Sequence, residues 1–239
     1  MKNKLQRFAE IKIFSNVLQP AKPEFIDWNK HFGNNNDIIL ELACGHGDYT
    51  LELAKMYPNK NFIGVDIKGA RIWKGAKTAL EKRLINVAFL RTQIQFLNKY
   101  FKSFPSSSKE GAGLSAETSV KEEVVMKKSQ SLVSEIWITF PDPFSRKRDA
   151  KRRLTSPRFL EIYKKILKPN GIINLKTDDL NLFNYSVETA VNENWQIKKT
   201  LNNIYTFNNL PPELQIKTFY EKKHIQAGKQ IHYLEIIKK

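Results

Sequence analysis

The chain has 239 residues, 41% of them hydrophobic, which suits one large domain, or one domain with small additions, around a full core. A single cysteine excludes an internal disulfide framework, and no apolar run approaches the ~20 residues of a membrane span. Forty basic against 24 acidic residues leave a net charge of +16, which points to a polyanionic partner, most often nucleic acid; a surface basic by default is the plainer alternative.

Residues 1–22 are basic and mixed, with Phe8, Ile11, Ile13 and Phe14 too irregularly spaced to define an element. They read either as an arm lying over a site or as a frayed terminus. No apolar h-region or cleavage site follows Met1-Lys2-Asn3-Lys4, so the expected location is the cytoplasm, in keeping with the lone cysteine. A short helix is expected over Pro23–Phe32, with the proline in its first turn and Gly33 at its stop.

Ile38 to Leu42 is an apolar run bounded by polar residues and reads as a buried strand. The turn Ala43-Cys44-Gly45-His46-Gly47 follows, then a helical pattern (Leu51, Leu53, Ala54, Met56) ended by Pro58. A second strand, Phe62–Val65, runs into Asp66. Strand, glycine turn, helix, strand and acid make up one nucleotide-binding half of an open α/β sheet. Asp66 stands 19 residues past Gly47, about where a carboxylate meets ribose hydroxyls. Thr50 occupies the third-glycine position of a dinucleotide loop, and Glu41 stands at the end of the first strand. A carboxylate there is badly placed against pyrophosphate and suits a cationic amine and sulfonium, which describes S-adenosylmethionine. The plainer alternative is an α/β protein whose glycines only make a sharp turn.

A helix over Gly69–Leu84, a strand at Val87–Leu90 and a short helix at Ile94–Phe101 come next. Lys102–Ser131 is rich in Ser, Lys, Glu and Gly and reads as a flexible insertion, with a transient helix at 117–126. The domain expectation is therefore a basic arm at 1–22 and a single domain at 23–239, carrying an insertion at about 103–131. Structure resumes with the strand 134–140, which ends in Pro141-Asp142-Pro143. A basic loop leads to a helix announced by Ser156-Pro157, with Phe159, Ile162, Tyr163, Ile166 and Leu167 on its buried face. A turn at Lys168–Gly171, a strand at 172–177, a helix at about Leu180–Val191 and strands near Trp195–Leu201 and Ile231–Ile237 complete the pattern. Alternation of this kind predicts a mostly parallel sheet, with the late strands as candidates for antiparallel pairing.

In such a sheet the residues just past strand ends face the ligand. That rule selects Glu41, Asp66, Gln93, Asp142, Thr177 and Asp178. Asp142, framed by prolines, is either a turn residue or a functional carboxylate, and its position favours function. The run 146-RKRDAKRR-153 has six basic residues in eight. Such runs are usually solvated faces, but this one adjoins the expected reaction centre, and arginines suit phosphate. Thr218-Phe219-Tyr220-Glu221 reads equally as a capping box or as a segment folded back over the site. Cys44 reads as a small residue filling the turn rather than a nucleophile, and Trp137 and Trp195 as core. His31, His46, His224 and His232 lack metal-ligand spacing, so no metal is expected.

The motifs ELACGHG, GVDIKGARI, FPDPF with RKRDAKRRL, LKTD and TFYE, in that order, resemble the bacterial tRNA (guanine-N7)-methyltransferases over about Phe8 to Ile236, the insertion excepted. The resemblance implies a Rossmann-like class I S-adenosylmethionine-dependent methyltransferase fold, with helices on both faces of the sheet. It implies methyl transfer to N7 of a guanine in the tRNA variable loop. Glu41, Ala43, Gly45, Gly47, Asp66, Gln93, Ile94 and Asp142 would then lie at the cofactor, and Asp142 would be the catalytic acid residue. Arg146, Asp178, Thr218 and Glu221 would hold the substrate, and Lys147, Arg148, Lys151, Arg152 and Arg153 would touch RNA. Expected partners are tRNA, no membrane and no metal, with the chain a monomer or a homodimer. Four departures from the family pattern stand out: Ala43 for a glycine, Gln93 for an acid, Phe144 for a tryptophan and Asp149 for a histidine. Two rivals remain, a nucleic-acid adenine amino-methyltransferase and a non-catalytic RNA-binding protein with a degenerate cofactor site. The first usually carries a second proline in its loop, where Phe144 stands.

Overall fold

The computed structural model describes residues 3–101 and 133–238. The expected insertion at 103–131, with its transient helix, lies outside the described residues. Helix α1 (Lys4–Ile11) opens the described chain, started by an Asn3–Gln6 capping box, and a two-residue strand β1 (Val17–Leu18) follows. The short helix α2 spans only Trp28–Phe32. Its start differs from the expected Pro23 because Asp27 caps it, the carboxylate accepting the Lys30 N–H at 3.1 Å. Gly33, with φ of 69°, stops it as expected.

The apolar runs become central strands, because a strand covered on both faces has no polar side to show. β2 (Ile38–Leu42), α3 (Asp48–Met56), β3 (Asn61–Asp66), α4 (Gly69–Glu81) and β4 (Val87–Arg91) follow in order. The short α5 (Leu97–Tyr100) and β5 (Val133–Thr139) bracket the undescribed segment. Then come α6 (Pro157–Ile166), β6 (Leu167–Thr177), α7 (Leu180–Asn192), β7 (Gln196–Leu201), α8 (Pro212–Gln215), α9 (Phe219–Gln226) and β8 (His232–Ile237). The expected turn at Lys168–Gly171 is instead an irregularity inside β6. Asn170 takes φ of 60°, and the register against β5 jumps from Val133↔Leu167 to Glu135↔Ile172.

The sheet order is β1-β4-β3-β2-β5-β6-β8-β7. Every pairing is parallel except those of β8, which runs antiparallel to both β6 and β7. The chain winds outward from β2 through β3 to β4, then returns to the other side at β5. A crevice therefore opens where the carboxyl ends of β2 and β5 diverge.

Strand alternation divides the core into two layers. Leu40, Leu42, Ile63, Val65, Ile136 and Ile138 pack on one face with α6 and α7. Ile39, Phe62, Phe89 and Trp137 pack on the other with α3 and α4. Trp137 and Trp195 are both buried, as their strand patterns suggest. The N-terminal helix lies on α4: Ile11 is buried, and the Trp73 indole donates to the Glu10 carboxylate at 2.7 Å. No helix among the described residues is long and apolar enough to cross a membrane.

Candidate active site

The first loop of the crevice is built on left-handed backbone. Ala43, Gly45 and Gly47 take φ of 55°, 57° and 70°. At Gly47 a side chain is excluded for a second reason, since a Cβ would sit 2.6 Å from a ring carbon of Phe89. Gly47 thus serves close packing and the start of α3, and it does not line the crevice as expected of a cofactor contact. Ala43 does line it, in a conformation that a glycine would adopt without strain.

Glu41 is buried at the end of β2. One carboxylate oxygen accepts the Thr50 N–H at 2.8 Å and the Thr50 hydroxyl at 2.6 Å, and the other accepts the Thr139 hydroxyl at 3.1 Å. Burial nevertheless pushes its pKa up to about 7. Asp66 ends β3, with its two oxygens accepting the Gly45 N–H at 2.9 Å and the Lys68 N–H at 2.8 Å. The Cys44 thiol is buried and its pKa is driven well up by desolvation, which suits a packing residue rather than a nucleophile.

Two adjoining cavities share Ala43, Asp66, Ile67 and Asp142. One, of about 490 Å³, is polar and reaches from Glu41 and Gly45 to Asp178, Thr218, Tyr220 and His224. The other, of about 410 Å³, is a more apolar slot between Gln93 and Ile94 on one side and Leu154 and Phe159 on the other. Asp142 is exposed between them and makes no hydrogen bond among the described residues. The proline-framed loop that carries it is bounded by Phe140 and Phe144, with φ of 50° and 44°. Positive φ at bulky residues is strain, and here it brackets the exposed Asp142 carboxylate.

The basic run forms a 3-10 turn over Lys147–Arg152. Lys151 and Arg152 line the apolar slot, where Arg152 also lies over the Phe144 ring at 4.3 Å, while Arg146, Lys147 and Arg148 are exposed outside both cavities. Arg153 differs from expectation. It is buried, its guanidinium donates to the carbonyls of Pro143 at 3.0 Å and Phe144 at 3.1 Å, and it stacks over Tyr185 at 4.3 Å. It holds the Asp142 loop from behind.

The C-terminal segment does fold back over the crevice, and Thr218 both lines the polar cavity and caps α9. Glu221 N–H donates to the Thr218 hydroxyl at 3.1 Å, which is half of a capping box. The Glu221 side chain, expected at the substrate, turns the other way. It is fully buried, pairs with Lys176 at 2.8 Å and accepts from the Tyr205 hydroxyl at 2.7 Å. Lys176 also donates to the carbonyls of Leu214 and Ile216 at 3.2 and 3.1 Å. Asp178 lines the polar cavity, paired with His224 and Lys229. Tyr220, within the expected Thr218–Glu221 segment, lines the polar cavity, whereas the sequence did not single out Lys176 or His224 for the site. A lysine inside the apolar strand IINLKT was the available signal, since a buried ammonium requires a partner.

Crystal structures of a 16S rRNA methyltransferase, KamB, and of a 30S ribosomal A1408 methyltransferase from an uncultured bacterium superpose with TM-scores of 0.59 and 0.55. The first covers 93% of this chain and 98% of its own, the second 89% and 92%, each at 13% identity, so they define the fold alone. A methyltransferase family model matches residues 35–106 and 123–234. The chain is thus a methyltransferase of the Rossmann-like class I fold. A tRNA (guanine-N(7)-)-methyltransferase of Christiangramia forsetii is 42% identical over 98% of this chain and 96% of its own length. Those of Cytophaga hutchinsonii, over the same shares, and Bacteroides fragilis, over 99% and 86%, are 35% and 36% identical. The chain belongs to the tRNA (guanine-N(7)-)-methyltransferase family.

Proposed function

We propose that this methyltransferase modifies a guanine of the tRNA variable loop at N7, with Asp142 as the carboxylate that orients the base. S-adenosylmethionine supplies an electrophilic methyl group on a sulfonium. The site's donor set fits it. Glu41 offers a buried carboxylate to an ammonium, Asp66 stands where ribose hydroxyls fall, and the slot between Ile94 and Phe159 suits a flat apolar-faced base. Gln93 stands at the mouth of that slot, where its amide can both donate and accept.

Guanine N7 carries a free lone pair, so no base has to remove a proton before transfer. The protein's task is placement, and in-line alignment supplies much of the rate. The base acquires positive charge as the new bond forms, and a nearby carboxylate stabilises that charge. Asp142 and Asp178 face the same polar cavity, so both can accept from the N–H donors of guanine. The observation that carries the reading is Asp142 itself, an unpaired carboxylate shared by the two cavities. Lys151 and Arg152 at the slot, with exposed Arg146, Lys147 and Arg148 beyond it, suit backbone phosphates. The enzyme works in the cytoplasm, where unmodified tRNA and the methyl donor meet.

The test is methyl transfer from labelled S-adenosylmethionine to unmodified tRNA, followed by nucleoside mass spectrometry. A 7-methylguanosine peak is expected from the wild type. Asp142→Ala should abolish that peak and leave cofactor affinity near normal. Label on another nucleoside overturns the substrate atom, and an active Asp142→Ala overturns the residue.

A further inference from the structure

We propose that His224 is a positioning residue for the base. Its imidazole holds Asp178 and braces Phe140, which fixes the two cavity carboxylates relative to each other. The inference rests on the guanine reading above and names a residue that this reading does not need.

His224 Nδ1 lies 3.2 Å from Asp178 Oδ2, and its ring stacks on Phe140 with centroids 5.6 Å apart and planes 17° apart. Asp178 ends the β6 side of the cavity. Phe140, with φ of 50°, is the residue from which the Pro141-Asp142-Pro143 loop departs. One side chain from α9 therefore touches the supports of both carboxylates. Lys229 Nζ meets the same Asp178 oxygen at 2.5 Å, but its side chain is half exposed and donates as a point charge without directional preference. The imidazole is a planar ring packed between an aromatic ring and the carboxylate, so its contacts constrain orientation where Lys229 adds charge. Among the described residues Asp178 Oδ1 accepts no hydrogen bond, which leaves that oxygen to face the N–H edge of the base. A strained Phe140 keeps its conformation only while its surroundings hold it, and the flat face of His224 is one of those surroundings.

The two interactions can be separated. His224→Phe keeps a ring against Phe140 and removes the Nδ1 contact with Asp178. His224→Asn places an amide donor near the Nδ1 position and removes the stack. Each should lower kcat/KM for tRNA about tenfold, and His224→Ala, lacking both, about a hundredfold. The Kd for S-adenosylmethionine, measured by calorimetry, should stay within about twofold in all three. In an Asp178→Asn background His224→Phe should add little further loss, whereas His224→Asn should still cost its full factor. A merely structural histidine would weaken cofactor binding and tRNA turnover together. Wild-type kcat/KM in His224→Ala, or an undiminished cost of His224→Phe beside Asp178→Asn, overturns the assignment while the guanine reading stands. A wild type that makes no 7-methylguanosine sinks both.

Discussion

Glu41 carries an unusual burden for a single carboxyl. Three hydrogen bonds from Thr50 and Thr139 favour its ionised form, yet burial outweighs them and the pKa is pushed up to about 7. A carboxyl whose folded pKa lies above its ordinary value is neutral without cost at low pH. As pH rises from about 4.5 to 7, the unfolded chain gives up this proton while the folded state still holds it, and stability falls by about 3 kcal/mol. Glu41→Gln should therefore be more stable than the wild type at pH 8 and nearly equal to it at pH 5, read as melting temperatures without cofactor. An equal difference at both pH values would refute that account. A cationic ammonium brought beside Glu41 favours the ionised form, so binding at pH 7 should release protons. Calorimetry in buffers of different ionisation enthalpy measures that release. On the proposed reading, binding would relieve the desolvation that Glu41 bears alone.

At the scale of elements, the question is what keeps the C-terminal segment over the crevice. Lys176 in β6 reaches through the sheet's covered face to Glu221 and to the carbonyls of Leu214 and Ile216. Phe219 N–H donates to Asp48 at 3.0 Å, and the Tyr49 and Tyr57 hydroxyls both bond Glu213. A fully buried pair contributes little net stability, but breaking one partner leaves an uncompensated charge. Glu221→Gln or Lys176→Met alone should cost about 3–5 kcal/mol in denaturant unfolding, and the double variant Lys176→Met, Glu221→Leu should recover most of it. If the single variants unfold like the wild type, the segment is not held in this way. The sequence marks this anchor only by a lysine inside the apolar strand IINLKT, and nothing local names its partner. Thr218 to Glu221 reads as a cap because capping is local, whereas the Lys176 pairing spans 45 residues. The same division runs through the fold. The four central parallel strands were legible because uninterrupted apolar runs have one stable environment. Asp66 and Asp142 were legible because strand ends face the crevice. The N-terminal helix was not, because Phe8 and Ile11 find their partners on α4 rather than within their own segment. Arg153 was misread for the opposite reason. A charge run suggests solvent, and nothing local marks which of its arginines turns inward to the carbonyls of Pro143 and Phe144.

For the whole molecule, a charge of +16 acts on tRNA mainly through released counterions. The exposed Arg146, Lys147 and Arg148 sit outside the cavities and beside the Asp142 loop, so they can meet phosphate without touching the reacting base. Replacing all three with alanine should weaken tRNA binding at low salt by a similar factor for different tRNA sequences. It should also flatten the dependence of log K on log salt by about 0.7–0.9 for each phosphate that is no longer neutralised. If the cavity places the base as proposed, turnover of bound tRNA should change little. Arg153→Ala should behave differently, although it removes the same kind of charge. Its loss frees the loop carbonyls of Pro143 and Phe144, so kcat should fall while the salt slope stays near the wild-type value. Filter binding across a salt series, paired with single-turnover rates, separates the two classes. Equal salt slopes in the triple variant and the wild type would mean that the net charge is spread over the surface and that this run does not guide the substrate.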